Sequence, residues 1–540
     1  MTARATEAAQ PAAAGFRKDL SWFSLLTMSL GTVIGSGWLI LPGIVASKAG
    51  PAGVVSWVFA GVCILVVALV YAELGAAWPA AGAVALYPRL SHGSFTGHLA
   101  GWAAFVSYSI IPPAEAVAVT RYAGSFVPAF VTPAQNLTGL GLAVAIAILA
   151  LIGLLNYFGV RYLGIFQNWV TSLKYIPIVL FVGGVGLFAF NGANFSSYGG
   201  FAPTGASGFM LGTAGAVFAY LGFRQALDFG AEARRPGRDL PLAVISTILI
   251  AIVTFVLIAI VFTGAINWAG LAPFGVQEGD WSSLSKLPAP LYNLTAAAGI
   301  GFVAWLIFAD GIVSPNGPNA TNVGAVPRVA YAMAENGTMP RLFLRLHPRY
   351  GTPVWGLFLC FILEVFFLLI TTGGYGELIA AINVAFMVAY AVGPVSFGVL
   401  RHVARDTPRP FRLPLGAVLA PLAFVLASVL LYWSQWPLTG EILGILLIGV
   451  LIYGWYAWTQ RIKVATVRYG AWFIVYLIVM AALSYLGDSE FGGINVIPLG
   501  WDLLAVAAVS LVIYYWAVRL GIAFDRLVGA RAQDNAGAGR

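Results

Sequence analysis

The chain has 540 residues, of which 60% are hydrophobic and only 9% charged, with a mean hydropathy of +0.88. Such a composition cannot clothe a water-soluble globule in polar side chains, so the expected solvent is lipid. The net charge of +8 would suggest nucleic acid in a soluble protein, and the two cysteines, Cys63 and Cys360, fall in apolar runs where packing rather than a disulfide is expected.

Residues 1–19 form a polar, alanine-rich tail that leads into the first apolar run without the pattern of a cleaved signal peptide. Roughly 20 apolar residues cross a bilayer. Runs of that kind lie near 22–47, 53–77, 99–131, 138–157, 163–190, 209–230, 241–266, 294–324, 353–372, 376–400, 415–436, 441–460, 469–487 and 501–521. They predict an all-α membrane protein of about 14 spans. With the N-terminus placed in the cytoplasm and sides alternating, the loop lysines and arginines fall on the cytoplasmic side, apart from Lys48 and Lys286. Clusters such as Arg234/Arg235/Arg238, Arg341/Arg345/Arg349 and Arg401/Arg405/Arg409/Arg412 share that side, which puts both termini in the cytoplasm. The longest external connection, 267–293, is too short for a domain of its own. The four histidines lack metal-ligand spacing, and there is no phosphate-binding glycine loop. No cofactor, metal, nucleic acid or catalytic residue is therefore expected, and neither an ATP-driven pump nor an enzyme fits.

The first span carries Gly31, Gly35 and Gly37 in mid-membrane, and the sixth carries Phe218-Ala-Tyr-Leu-Gly-Phe-Arg-Gln225. Glycine at such a depth either lets helices touch closely or permits unwinding, and unwound backbone is tolerated only where it lines a cavity or meets a ligand. Two breaks five spans apart suggest an inverted repeat of spans 1–5 and 6–10 around a central site. Half-helix N-termini there suit a carboxylate, and the opposing carbonyl ends suit an ammonium.

Three motifs then become familiar: GTVIGSGWLILPG in span 1, YAELGAAWPAAG at 71–82 and PRVAYAMAENGTMP at 327–340. In this order they resemble the amino acid–polyamine–organocation permeases, over about residues 20–405. The resemblance implies a LeuT-type five-plus-five inverted repeat with unwound spans 1 and 6. Residues 20–405 would form the transporter core, 406–521 four additional spans and 522–540 a cytoplasmic tail. The extra spans look like those of the family's aspartate/glutamate symporter branch. Carried over by residue, the resemblance gives the substrate carboxylate the N–H groups of Ser36 and Gly37, with the Ser36 hydroxyl as a further donor, and its ammonium the carbonyls of Val33, Phe218 and Leu221. Two departures stand out. The usual double glycine after the second-span proline is Gly82-Ala83, and the residue after Gly222-Phe223 is the basic Arg224.

Charged residues inside the membrane are costly and hence functional candidates. Here they are Glu115, Arg121, Lys174, Arg224, Asp228, Asp310 and Glu364. Lys174 matches a fifth-span lysine that stands in for sodium in proton-coupled members of the family, so it is either a coupling group or a charged strut. Arg224 suits a carboxylate side chain of the substrate, or else pairs with Asp228 or Glu115; Arg121 could serve in its place. Asn319 and Asn322, in the polar tract Ser314-Pro-Asn-Gly-Pro-Asn-Ala-Thr-Asn322, are candidate amide contacts, and Phe218 and Tyr220 candidate gates. The expected function is proton-coupled symport of an acidic amino acid across the plasma membrane. The alternative is a neutral amino-acid symporter or exchanger on the same scaffold, with a non-transporting sensor as a more remote one.

Overall fold

The computed structural model describes residues 16, 18–124, 127–132, 136–370, 375–459 and 467–538. Apolar sequence in lipid must satisfy its backbone internally, and here it does so as helices. The first broken pair is α1 (Trp22–Val33) and α2 (Gly37–Ala49), followed by α3 (Gly53–Ala77), α4 (Ala83–His92) and α5 (Ser94–Gly124). Next come α6 (Gly139–Tyr157), α7 (Val160–Leu180), α8 (Gly205–Ala219), the single turn α9 (Gln225–Asp228) and α10 (Pro236–Gly264). The chain continues with α11 (Pro290–Ala297), α12 (Gly301–Val313), α13 (Asn316–Glu335), α14 (Val354–Ile370) and α15 (Tyr375–Val403). It closes with α16 (Gly416–Tyr432), α17 (Leu438–Thr459), α18 (Val467–Leu486) and α19 (Trp501–Ala538). Among the described residues, nine helical stretches are long and apolar enough to cross a membrane, and four shorter apolar helices accompany them.

Two packing groups hold the site. In one, α10 lies along α3 and α1 while α8 packs on α2 and α3; in the other, α5 packs on α13, α14 and α6. Helix α7 closes on α1, and α15 on α5 and α16. The lipid-facing surface is correspondingly apolar, with Trp169, Phe188, Phe302 and Leu451 more than 65% exposed.

The structure differs from the predicted runs in three places. The run at 294–324 is three helices, interrupted at Gly299, whose φ is +77°, and at Ser314-Pro315, and its last helix extends to Glu335. Helix α4, amphipathic rather than apolar, was not anticipated as an element. The segment predicted as a C-terminal tail continues α19 as far as Ala538.

Candidate functional site

Helix α1 begins at an N-cap, where the Ser21 hydroxyl accepts from Ser24 N–H at 3.2 Å, and it ends at Val33. Ile34 leaves the helical region at φ −90°, ψ 83°, and Gly35 N–H turns back to the Val33 carbonyl at 3.2 Å. Helix α2 restarts at once, the Ser36 carbonyl accepting from Leu39 and Ile40 N–H at 3.1 and 3.3 Å. The Ser36 N–H is left pointing outward and donates to Glu115 Oε2 at 3.0 Å. Gly35 is sterically required: a Cβ there would lie 2.5 Å from Glu115 Oε1 and 2.6 Å from Pro318 Cγ. Gly37 is not. A Cβ there would meet Leu41 Cδ1 at 3.4 Å and Ala219 Cα at 3.5 Å, ordinary contact distances, so of the two glycines only Gly35 is held bare by its protein neighbours.

The second break faces the first. Helix α8 ends at Ala219, and Leu221 N–H makes a tight turn back to the Phe218 carbonyl at 3.1 Å. Gly222 adopts φ +115°, a conformation that only glycine takes readily, with its bare Cα against Thr32. Its N–H donates to the Tyr390 hydroxyl at 3.1 Å, while the Ser29 hydroxyl donates to the Phe223 carbonyl at 3.0 Å. Between the breaks lies a narrow pocket lined by Thr32, Val33, Gly35, Gly37, Ile111, Glu115, Phe218, Leu221 and Pro318. Its free space is on the scale of a single water molecule rather than of an amino acid.

Polar side chains from α7 and α13 brace this crossing. Lys174 is fully buried and donates through Nζ to the Gly31 and Ile34 carbonyls at 2.9 and 2.5 Å, at the C-terminal end of α1 where the helix dipole favours a cation. Gln167 Nε2 donates to the Gly317 carbonyl at 2.5 Å and to the Thr321 hydroxyl at 2.8 Å, and the Thr171 hydroxyl donates to the Thr27 carbonyl at 3.0 Å. The two candidate asparagines part company. Asn322 is committed internally, accepting from Gln225 Nε2 at 2.9 Å and donating to the Pro318 carbonyl at 2.8 Å. Asn319 is fully buried with neither Nδ2 nor Oδ1 hydrogen-bonded.

Arg224 does not line the pocket. Its Nε donates to the Tyr108 hydroxyl at 3.0 Å and its Nη1 to the Ala389 carbonyl at 2.7 Å, and the guanidinium sits over the rings of Tyr390, Tyr108 and Tyr71 at 4.9, 5.4 and 5.6 Å. Asp228 joins indirectly, its Oδ2 accepting from Tyr108 at 2.7 Å. Nη2 remains buried without a hydrogen-bond partner. Tyr220 also points away from the pocket: its hydroxyl donates to the Trp57 carbonyl at 2.9 Å and its ring packs between Trp57 and Phe255. Arg121 lies near the C-terminal end of α5, half-buried and engaged there. Glu364 accepts from the Cys360 thiol at 2.9 Å.

Sequence reasoning missed the tyrosine cage, although Tyr71 stands inside the YAELG motif. It also missed Pro318 as a pocket wall, although Pro318 lies in the polar tract.

A membrane-embedded helical protein with two interrupted helices crossing at a buried polar pocket has the build of a transporter. The chain matches the amino acid permease family model over residues 20–457 and belongs to that family, within the amino acid–polyamine–organocation permeases. It is 38% identical over 524 residues to the glutamate/serine transporter AimA of Bacillus subtilis (strain 168), covering 95% of this chain and 96% of the relative. It is 34% identical over 517 residues to the aspartate-proton symporter of the same organism, covering 94% and 97%. At greater distance it is 26% identical over 453 residues to the branched-chain amino acid permease BcaP, covering 82% and 93%. The protein is thus a multi-pass membrane amino acid transporter and not an enzyme.

Proposed function

We propose that this permease is a proton-coupled symporter of acidic amino acids in the plasma membrane, with both termini cytoplasmic. The observation that carries the reading is the crossing of the two breaks at a buried pocket, with the Ser36 N–H at the start of α2 on one side of the first break and the Lys174 ammonium on the Gly31 and Ile34 carbonyls at the end of α1 on the other. In this reading Ser36 and Gly37 take the substrate carboxylate, the carbonyls of Val33, Phe218 and Leu221 take its ammonium, and Asn319 and Asn322 supply amide contacts. Lys174 is the coupling group. A neutral lysine would lose the charge that steadies the end of α1, so a proton and the geometry of the break are linked.

Fourteen spans follow if α1 with α2, α8 with α9, and α12 with α13 each count as one interrupted crossing and the short helices α4 and α11 are not counted as crossings. The repeat of spans 1–5 and 6–10 is supported by matched packing, α1–α2 with α8 and α3 with α10, then α5 with α13 and α6 with α14. In this reading the core is residues 20–405, the four helices α16 to α19 are the additional segment 406–521, and α19 runs on into the segment 522–540.

The acidic substrate is supported by the names of two relatives, one a glutamate/serine transporter and one an aspartate-proton symporter. It is supported too by the unpartnered Nη2 of Arg224, provided that the tyrosine cage opens to the pocket when substrate enters. A second reading, a neutral amino acid, is favoured by the cage itself, which already supplies the guanidinium with a carbonyl, two hydroxyls and three rings. Uptake of labelled aspartate into proteoliposomes, with and without an inward proton gradient and against a panel of competing amino acids, separates the two. Gradient-driven accumulation competed best by aspartate and glutamate supports the first reading; equal or better competition by serine or alanine supports the second. Accumulation indifferent to the gradient removes proton coupling.

A further inference from the structure

The position assigned to the substrate carboxylate already holds a carboxylate. Glu115, 2% exposed on α5, places Oε2 3.0 Å from Ser36 N, and the Ser36 hydroxyl contacts the same side chain. Its other oxygen lies against the bare Cα of Gly35, so the side chain fills the angle between the two halves of the first interrupted helix. We propose that Glu115 is a resident occupant of the substrate-carboxylate position, and that an amino acid binds by displacing it, with a proton taken up by the displaced carboxyl.

Two arguments carry this inference, which rests on the proposed substrate position. The first is space. Glu115 already takes both the Ser36 N–H and the Ser36 hydroxyl, and the pocket beside it has room for about one water molecule, so a second carboxylate cannot enter while Glu115 stays. The second is charge. Two anions at one helix terminus repel, and moving one of them off its donors into a buried site raises its affinity for a proton. Linkage makes the effect mutual: the substrate promotes protonation of Glu115, and protonation of Glu115 promotes substrate binding. The titratable groups that bear on it come from several elements. Lys174 on α7 faces Glu115, Asp310 on α12 faces Lys174, and Arg121 lies six residues further along α5. On the other elements packed against α5, Arg328 is paired with Glu232, and Glu364 is hydrogen-bonded to Cys360. The Arg224–Tyr108–Asp228 cluster lies two turns before Glu115.

The experiment is substrate binding to purified protein across a pH series, read as Kd and as the rise in Tm that the substrate produces. In the parent, affinity for aspartate should improve as pH falls. In Glu115→Gln a neutral amide replaces the competing anion, so affinity at alkaline pH should exceed that of the parent by about tenfold and depend less on pH. Proton uptake on adding aspartate in weak buffer should fall in the same variant. Glu115→Leu, which keeps bulk and removes the oxygens, should behave like Glu115→Gln and serves if the latter folds poorly. Loss of affinity at every pH in both variants would overturn the proposal and make Glu115 a direct ligand of the substrate. An unchanged pH profile would overturn it as well. Gly35→Ala keeps the two levels apart: parent-like binding there removes the pocket as the substrate site, whereas lost binding there with parent-like Glu115 variants removes only the displacement step.

Discussion

Gly35 and Gly37 are two residues apart in one motif, yet their surroundings differ enough to be told apart by a single methyl group. A Cβ on Gly35 would overlap both the Glu115 carboxylate and the Pro318 ring, whereas a Cβ on Gly37 would make only ordinary contacts. Gly35→Ala is therefore expected to abolish substrate binding in a radioligand assay while Gly37→Ala stays within a few-fold of the parent; similar losses in both would contradict this placement. Arg224 poses a different question, because it is buried by aromatic rings and still has one unpartnered nitrogen. A charge-assisted hydrogen bond is worth about 1.5–3 kcal/mol. Arg224→Gln should accordingly weaken aspartate and glutamate by about one to two orders of magnitude, and neutral amino acids much less, in a competition assay. An equal loss for all substrates together with a lowered Tm would assign Arg224 to the scaffold and put the neutral-substrate reading first.

At the scale of elements, the breaks persist because neighbouring helices hold each one open. Gly222 carries a positive φ and rests against Thr32, so Gly222→Ala combines backbone strain with a 2.5 Å overlap at Thr32 Cγ2. A destabilisation of about 2 kcal/mol or more is expected in thermal unfolding. Adding Thr32→Ser, which deletes the offending methyl, should recover only the steric part. Beyond the second break the chain is clamped by a buried ion pair. Arg328 donates through Nε and Nη2 to Glu232 at 3.1 and 2.7 Å, and Leu20 and Glu232 join through their backbones, with Leu20 N–H to the Glu232 carbonyl at 3.0 Å. Removing one partner of such a pair costs about 3–5 kcal/mol, much of it the penalty of the stranded charge. Glu232→Gln should therefore be more destabilising than the double variant Glu232→Gln, Arg328→Met. If the two single changes simply added, the pair would contribute nothing beyond its separate parts.

The whole molecule joins this core to the helices that follow through Glu73, which lies in the YAELG motif. Glu73 pairs with Arg401 at 2.5 Å and Arg409 at 3.1 Å and accepts from Leu413 N–H at 2.7 Å, so one buried carboxylate gathers the end of α15 and the connection to α16. These arginines belong to the clusters whose side of the membrane follows from the bias of loop charge. The proposed orientation is checked by single cysteines: one at Lys286 should react with an impermeant thiol reagent added outside intact cells, and one at Arg405 should react only after permeabilisation. The reverse pattern would invert the topology. In proteoliposomes Lys174→Ala should abolish accumulation driven by a proton gradient. Concentrative uptake with unchanged pH dependence in that variant would end the coupling role of Lys174.

The sequence by itself determined the solvent, the helical class, the permease family and the two glycine-bearing interruptions, because hydropathy, charge bias and helix-breaking residues act locally and can be read in order along the chain. It also singled out Lys174 as a buried cation, since an ammonium in an apolar helix is conspicuous wherever its partners lie. What only the tertiary structure decided was which polar groups meet. Whether Arg224 reaches Asp228 directly or through Tyr108, whether Asn319 or Asn322 is already satisfied, and whether Gly35 or Gly37 is the tight glycine all depend on side chains brought in from other helices. Glu115 shows the same limit most clearly. Its position 79 residues from Ser36 in sequence gives no hint that its carboxylate rests on the Ser36 N–H, because that contact is created by helix packing rather than by any local pattern.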